Sequence, residues 1–354
     1  MIKTQNILVA PLNWGLGHAT RCVPIVNKLI EFGFNPVLAS DGDALELLKK
    51  EFPNLTTVEL PSYQIKYAKK GSLFKWKIAL NAPKMLKAIQ DEKKISKRII
   101  EEYQIDGIIS DNRFGVVSKK IPSVFITHQL NVLSGNTTYF TSVIHRNWIK
   151  KFKECWVPDF KKKPNLSGKL GHLKKSKLRI KYLGILSRFE KNEVAEIYDL
   201  AVVLSGPEPQ RTMFEEIITA QINEFEGKVI FIKGKIEAQK KSETLGNTTF
   251  HNFMNGKELE LAINQSKMVL SRSGYTTLMD LVKLQKKAFF VPTPGQTEQE
   301  YLARRLKKQG ITPYCSQESF RIELLNEVQL YKGFESWSSQ PNWEYLFRVF
   351  TGER

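Results

Sequence analysis

The chain has 354 residues, enough for two ordinary domains, and its 42% hydrophobic, 25% charged composition excludes a disordered or fibrous protein. Three widely spaced cysteines (Cys22, Cys155, Cys315) with no CxxC or Cys/His cluster exclude a disulfide framework and a structural zinc site. They point to a reducing, cytoplasmic setting. The net charge of +18 is confined to one half: residues 182–354 carry 22 Lys/Arg against 22 Asp/Glu, so the whole excess lies in residues 1–181. Residues 60–100 hold 11 basic and 2 acidic side chains, and residues 146–181 hold 13 and 2. Such clusters suit an anionic partner, either the inner leaflet of the plasma membrane or nucleic acid. No run of about 18 uncharged apolar residues marks a membrane span, so any membrane contact is peripheral.

In chain order, the N-terminal NILVAPL (6–12) reads as a first strand entering a glycine loop, not as a signal peptide. Cys22, Val23, Val26, Leu29 and Ile30 then recur at helical spacing. PVLAS (36–40), DGIIS (106–110) and SVFIT (123–127) are further strands, and the alternation with helices predicts a parallel sheet covered on both faces. Residues 161–183 are polar, basic and dotted with Pro and Gly, as a linker would be. The pattern restarts with strands at 200–205, 228–234, 268–274 and 288–293 and helices near 209–222, 275–284 and 297–309. An aromatic segment from Trp337 to Phe350, expected to be helical, ends it. The expectation is an α/β protein with two Rossmann-like domains facing a central cleft, 1–160 and 184–354, the last helix returning to the first domain. Ligands in such sheets lie at the carboxyl ends of strands.

Three loops of that kind stand out. Gly15-Leu16-Gly17-His18-Ala19-Thr20-Arg21 follows the first strand. Its glycines allow close approach of a bound group, and the helix start offers free N–H groups. Thr20 replaces the third glycine of a dinucleotide loop, which weakens that reading although Asp41 stands at the expected ribose position. His18 is either a general base or a helix-capping polar residue. Ser205-Gly206-Pro207-Glu208-Pro209-Gln210-Arg211 is either an ordinary strand-to-helix loop or a diphosphate cradle. The strongest is Ser271-Arg272-Ser273-Gly274-Tyr275-Thr276-Thr277-Leu278-Met279-Asp280, where hydroxyls and amides at a helix start suit phosphate and a carboxylate farther on suits a ribose diol. The following strand ends in a loop rich in amides and carboxyls, including Gln299 and Glu300, which match sugar hydroxyls. Asp41-Gly42-Asp43 mimics a metal-binding DxD pair, but helix capping explains it more simply.

Residues 268–304, together with Gly15–Arg21, resemble the family 28 glycosyltransferases, which include the bacterial N-acetylglucosaminyltransferase acting on a lipid-linked peptidoglycan precursor. The alternation of elements extends that resemblance over almost the whole chain. It implies the two-domain GT-B fold and an inverting, metal-independent transfer of a hexose or N-acetylhexosamine from a UDP-sugar to an acceptor hydroxyl, with no cofactor. By position, Asp280 matches the family's ribose-binding carboxylate, usually Glu, and Gln299 and Glu300 match a pair that contacts the donor sugar. Met254 matches a backbone contact with uracil and Arg188 an arginine near the diphosphate. Ser205 and Gly206 take the place of a glycine-rich diphosphate loop, although Pro207 and Pro209 each remove an N–H donor. Ser273, Gly274 and Tyr275 belong to the donor signature, and Gly15 and Gly17 to the acceptor-side loop. His18 and His128 match two histidines near the reaction centre. Gln129 stands where a Glu is common, so Asp111 is the second candidate base after His18.

Residues 72–89 interleave Phe74, Trp76 and Met85 with Lys75, Lys77 and Lys84, and Tyr139, Phe140, Trp148 and Phe152 accompany the second basic cluster. That makeup suits either an interfacial membrane contact, as a lipid-linked acceptor would require, or a solvated lysine-rich face. Two rival readings remain, a UDP-sugar epimerase of the same architecture and a basic nucleic-acid binder. The scarcity of carboxylates in the N-terminal loops disfavours the first, and the donor loops have no use in the second.

Overall fold

The computed structural model describes residues 4–63, 74–133, 137–206, 208–235, 237, 239–334, 337 and 341–352; side chains within 74–84 are not described. It divides into two compact units. The first contains Lys75–Ser187, the residues before Lys66 and the C-terminal Ser339–Arg354; the second contains Arg188–Ser338.

The first unit is built on seven strands: β1 (Asn6–Pro11), β2 (Asn35–Ser40), β3 (Thr57–Glu59), β4 (Ile105–Asp111), β5 (Ser123–Ile126), β6 (Glu154–Val157) and β7 (Ile180–Tyr182). They lie in the order β3-β2-β1-β4-β5-β6-β7, every pair parallel. The helices are α1 (Gly17–Glu31), α2 (Gly42–Glu51), α3 (Phe74–Glu102) and α4 (Thr138–Ile149). Ile7, Leu8, Val9 and Ala10 of β1 are wholly buried, as a central parallel strand covered on both faces requires. The basic stretch 161–183, expected as a linker, is instead part of this unit. It contributes the edge strand β7 and buries Leu166 and Leu170 completely. Asp159 fastens it by accepting from the backbone N–H groups of Phe160, Leu166 and Ser167 at 2.7, 2.9 and 2.8 Å. The polar composition hid these few apolar anchors.

The C-terminal helix, labelled α9 below, spans Trp343–Thr351 and belongs to this unit as well. Asn342 caps it by accepting from the Tyr345 N–H at 2.9 Å, and Gly352 ends it at φ +76°. Its Phe347 and Phe350 rings meet Phe34 and Trp156 edge-on or tilted. Gly107 of β4 makes room for them: a Cβ there would lie 2.4 Å from the Phe350 ring.

The second unit holds β8 (Tyr198–Val203), α5 (Gln210–Thr219), β9 (Val229–Ile232), β10 (Ser242–Leu245), β11 (Thr248–His251) and α6 (Gly256–Asn264). Then come β12 (Ser266–Ser271), α7 (Tyr275–Leu284), β13 (Lys287–Phe290) and α8 (Thr297–Lys308). The order is β10-β11-β9-β8-β12-β13. Only the exposed β10 departs from the expected parallel sheet, pairing antiparallel with β11 through a turn at Gly246 (φ +58°) and Asn247. Among the described residues no helix is long and apolar enough to cross a membrane.

Candidate active site

In the first unit, three strand ends converge on one carboxylate. Gly15 takes φ +75°, a conformation that favours glycine, and lets the chain turn from β1 into α1. Helical spacing then sets His18, Arg21 and Cys22 on one face of α1. Pro11 is in register with Asp111 at the end of β4, so that face meets the Asp111 side chain, which is fully buried. His18 Nδ1 lies 2.9 Å from Asp111 Oδ1. Arg21 grips the same carboxylate twice, through Nε to Oδ2 at 2.5 Å and through Nη2 to Oδ1. Beyond the neighbouring β5, His128 Nδ1 stands 3.2 Å from Arg21 Nη1, and the Cys22 thiol is 3.7 Å from Asp111 Oδ2.

The electrostatics assign roles within this cluster. Burial alone pushes the Asp111 carboxyl up, but Arg21 and then His18 more than offset it and hold the group well below the usual carboxylate range. Burial lowers the His18 pKa below 6.5, and Arg21 adds to this while Asp111 opposes it. His18 is therefore a neutral imidazole at pH 7, beside a carboxylate that can only accept. His18 Nδ1 is placed between Asp111 Oδ1 at 2.9 Å and Arg21 Nη2 at 2.8 Å; in the tautomer that donates Nδ1–H to Asp111, Nε2 is the basic atom. Arg21 can only donate, so His128 accepts at Nδ1 and carries its proton on Nε2. Asp111, the second candidate base, is too enclosed and too firmly ion-paired to take a proton; its geometry is that of an orienting group for His18.

Asp41 corrects a smaller expectation. It stands at the N-cap of α2, yet its side chain caps nothing. Instead its carboxylate accepts from Arg113 Nη2 and, at 3.3 Å, from Asn13 Nδ2. Arg113 also donates to Glu92 at 2.7 Å, and Tyr63 reaches that carboxylate at 2.6 Å. This buried network ties α2, α3 and the β4–β5 loop together. Among the described residues no group of three or more His, Cys, Asp or Glu could hold a metal ion.

In the second unit, the loops after β8, β12 and β13 leave three adjacent strands at their carboxyl ends, with Val203 opposite Ser271 and Ser271 opposite Phe290. Gly274 is the N-cap of α7 and, lacking a side chain, makes no cap hydrogen bond of its own. Tyr275 behind it is buried. Ser273 is wholly buried and donates its hydroxyl to the Gln299 carbonyl at 2.8 Å. The Gln299 side chain accepts from the Thr293 N–H at 2.8 Å and donates to Gln296 Oε1 at 2.6 Å, while Glu300 accepts from the Gly295 N–H at 3.1 Å. Gln299 and Glu300 thus shape the loop that carries them. Ser205 and Gly206 (φ +103°) are exposed before α5, and Pro207 lies outside the described residues. Arg188 lies against the Phe189 ring at 5.3 Å, and Asp280 is half-buried in α7. Met254 follows β11, which β9 separates from β8, and sits just before the capping box that Asn255 and Glu258 form on α6.

One residue within the strongest motif had been passed over. Arg272 is 2% exposed and donates to Val291 O (3.0 Å), Pro292 O (3.2 Å), Gln210 O (2.9 Å) and Gln317 Oε1 (2.6 Å), with its guanidinium 4.1 Å from the Phe214 ring. All four of these acceptors are neutral, so a positive charge is buried without a carboxylate among them, and burial lowers its pKa to about 9. It fastens the loop after β13 and the start of α5 to the end of β12, two residues before Gly274. The signal was an arginine closing a buried strand, where bulk alone would favour an aliphatic residue.

Of the basic aromatic stretches, Phe152 is core, whereas Tyr139 (71%), Phe140 (70%) and Ile144 (59%) of α4 are exposed. The Lys75, Lys77 and Lys84 side chains lie outside the described residues.

Comparison with known proteins adds the family. The glycosyltransferase family 28 C-terminal domain matches residues 201–336. A glycosyltransferase of Methanosarcina acetivorans is 22% identical over 92% of this chain and 90% of its own. The UDP-N-acetylglucosamine–N-acetylmuramyl-(pentapeptide) pyrophosphoryl-undecaprenol N-acetylglucosamine transferase of Clostridium perfringens is 24% identical over 87% of this chain and 85% of its own. Among solved structures, MurG of Acinetobacter baumannii superposes with a TM-score of 0.58 at 14% identity, covering 99% of this chain and 100% of that one. The spinosyn rhamnosyltransferase SpnG does so at 0.63 and 12%, covering 98% and 100%. The chain is therefore a glycosyltransferase of GT-B fold that carries the family 28 C-terminal domain over residues 201–336 and is similar to MurG-type transferases.

Proposed function

We propose that this glycosyltransferase moves a hexose or N-acetylhexosamine from a UDP-sugar to an acceptor hydroxyl, with inversion and without a metal ion or other cofactor. The observation that carries the reading is the glycine N-cap of α7, at the carboxyl end of β12, beside the buried Arg272, whose hydrogen-bond partners are all neutral. A helix N-terminus concentrates amide donors and a partial positive charge, which suits a diphosphate and stabilises the charge it gains on leaving. His18 Nε2 would take the acceptor proton, with Asp111 holding the imidazole and Arg21 keeping Asp111 ionised. Asp280 would accept from the ribose hydroxyls. The relative from Clostridium perfringens, whose name includes a UDP-sugar and an undecaprenol-linked acceptor, supports both the nucleotide and a lipid-linked acceptor. The exposed Tyr139, Phe140 and Ile144, on a helix whose Trp148 carries Lys151 at 3.4 Å, support a peripheral contact with an anionic membrane on the cytoplasmic side. Nucleic acid gives no account of the donor loops.

The test is to incubate the protein with UDP-hexoses and UDP-N-acetylhexosamines, with and without lipid-linked hydroxyl acceptors, with and without a chelator. Acceptor-dependent UDP release that survives chelation, with inverted product, is expected. UDP that fails to bind, or Asp280→Ala that binds it as tightly as the native chain, would sink the donor assignment. Sugar epimerised without acceptor would replace transfer, and activity lost on chelation would replace metal independence.

A further inference from the structure

A second charged site lies in the first unit, at the edge of the sheet opposite His18, Asp111 and His128. Those three groups cluster at the carboxyl ends of strands, whereas the end of α4 and the starts of β6 and β7 frame an open, solvent-facing cavity of about 270 Å³. Lys150, Lys153, Lys177 and Arg179 line it. Lys150 donates to Asn147 Oδ1 at 3.1 Å and Lys153 to the Val349 carbonyl at 3.4 Å, both neutral acceptors. Among the described residues none of the four cations has a carboxylate partner. Glu154, the acid in the lining, is engaged by Lys181 at 3.0 Å and by the Trp156 indole N–H at 2.9 Å. The other acid of residues 146–181, Asp159, is turned to backbone N–H groups.

Of the two carboxylates in that stretch of thirteen cations, Glu154 is therefore taken by Lys181 and Asp159 by backbone N–H groups, which leaves neither for the four cations of the cavity. The α4 dipole accounts for Lys150 at the helix C-terminus. It does not account for Lys177 and Arg179, which arrive from the segment before β7. Four like charges around one concavity repel one another, and an anion removes that repulsion. The volume is near the lower end of the roughly 300–1,000 Å³ of ligand pockets, room for one or two phosphoryl groups. Phe152 and Leu178 supply an apolar side to the same cavity.

We propose that the cavity framed by Lys150, Lys153, Lys177 and Arg179 is a binding site for a phosphoryl anion, separate from the donor site. The anion is either a soluble pyrophosphate or phosphate ester or the headgroup of an acidic phospholipid. Two variants test it, Lys177→Gln/Arg179→Gln and Lys177→Glu/Arg179→Glu; all four changes are at exposed positions outside the transfer machinery. One arm titrates sodium pyrophosphate calorimetrically into the full chain saturated with UDP. The other measures co-sedimentation with phosphatidate-containing against pure phosphatidylcholine vesicles. The native chain should bind one or both phosphoryl sources, the Gln pair should bind at least about tenfold more weakly, and the Glu pair should not bind. Turnover of both variants should stay within about twofold of native, and 0.5 M salt should weaken binding by screening. The arm that responds identifies the source. Equal affinity in native chain and Glu pair, or no response in either arm, would overturn the site. Because the comparison is between native and variant, failure of the UDP-sugar reading would leave this outcome readable.

Discussion

The two units build their sites from different materials. In the first, side-chain charge does the arranging: Asp111 is held by Arg21 and His18, with His128 on the far donor of Arg21. In the second, backbone does it: a helix start whose N-cap is a glycine, and loops whose own carbonyls anchor Arg272. The difference teaches where a site can tolerate change. A charge cluster fails when one member is removed, because a buried partner is left unpaired. A site made of amides fails only when its backbone moves or its space is filled.

The largest expected effect is in the first unit. His18→Ala should lower kcat by about 10²–10⁴-fold while leaving UDP affinity within twofold of native. A parallel loss of UDP affinity would mean that His18 holds the donor. Asp111→Asn should follow closely. Leaving Arg21 buried without its carboxylate is expected to cost about 3–5 kcal/mol of stability, read by denaturant unfolding. The pH profile sharpens the assignment. The His18 pKa is depressed in the folded chain, so the stability it contributes is present above pH 6.5 and lost as pH falls through the folded value. The acidic limb of kcat/KM should therefore lie below 6.5. Since Asp111 raises the His18 pKa, Asp111→Asn should move that limb lower still. A limb that moves upward would break the scheme.

The same contrast explains what the sequence revealed. Strands such as Asn6–Pro11 and Ser266–Ser271 announce themselves as short apolar runs, and α7 and α8 begin at the residues their loops predict. Ser271–Asp280 is legible because a strand, a phosphate-ready turn and a helix are contiguous, which is also why a family domain is recognisable across residues 201–336. The cluster in the first unit is not contiguous. Arg21 and Asp111 are 90 residues apart, and only the register of β1 against β4 brings them together. Arg21 reads as one more basic helix residue until that pairing is known. The linker expectation failed for a related reason: Leu166 and Leu170 are isolated apolar positions, and Asp159 orders their loop through amides that composition cannot show. β10 was missed because its residues are all exposed, so no alternation marks it.

In the second unit the effects should be smaller and separable. Arg272→Met leaves up to four buried acceptors without their donor and should cost at least about 1–3 kcal/mol of stability. Arg272→Lys keeps the charge but loses the planar fork that reaches three loops at once. If Arg272 positions those loops, Lys should raise the donor KM about tenfold with kcat little changed, whereas a purely electrostatic role would spare the Lys variant.

Gly274→Ala isolates the ligand from the fold. Gly274 sits at φ −68° and ψ 142°, where any residue is comfortable, and an added Cβ would meet only the Thr277 hydroxyl at 3.8 Å. The gain of about 0.4–1 kcal/mol from a less free unfolded chain is opposed by the poorer N-cap preference of Ala, so stability should stay within about 1 kcal/mol of native. If a diphosphate rests against the start of α7, the new methyl stands beside it, and UDP affinity should fall several-fold while the melting temperature changes little. Unchanged affinity in a fully stable variant would mean that the anion lies elsewhere, because nothing in the fold itself objects to that methyl.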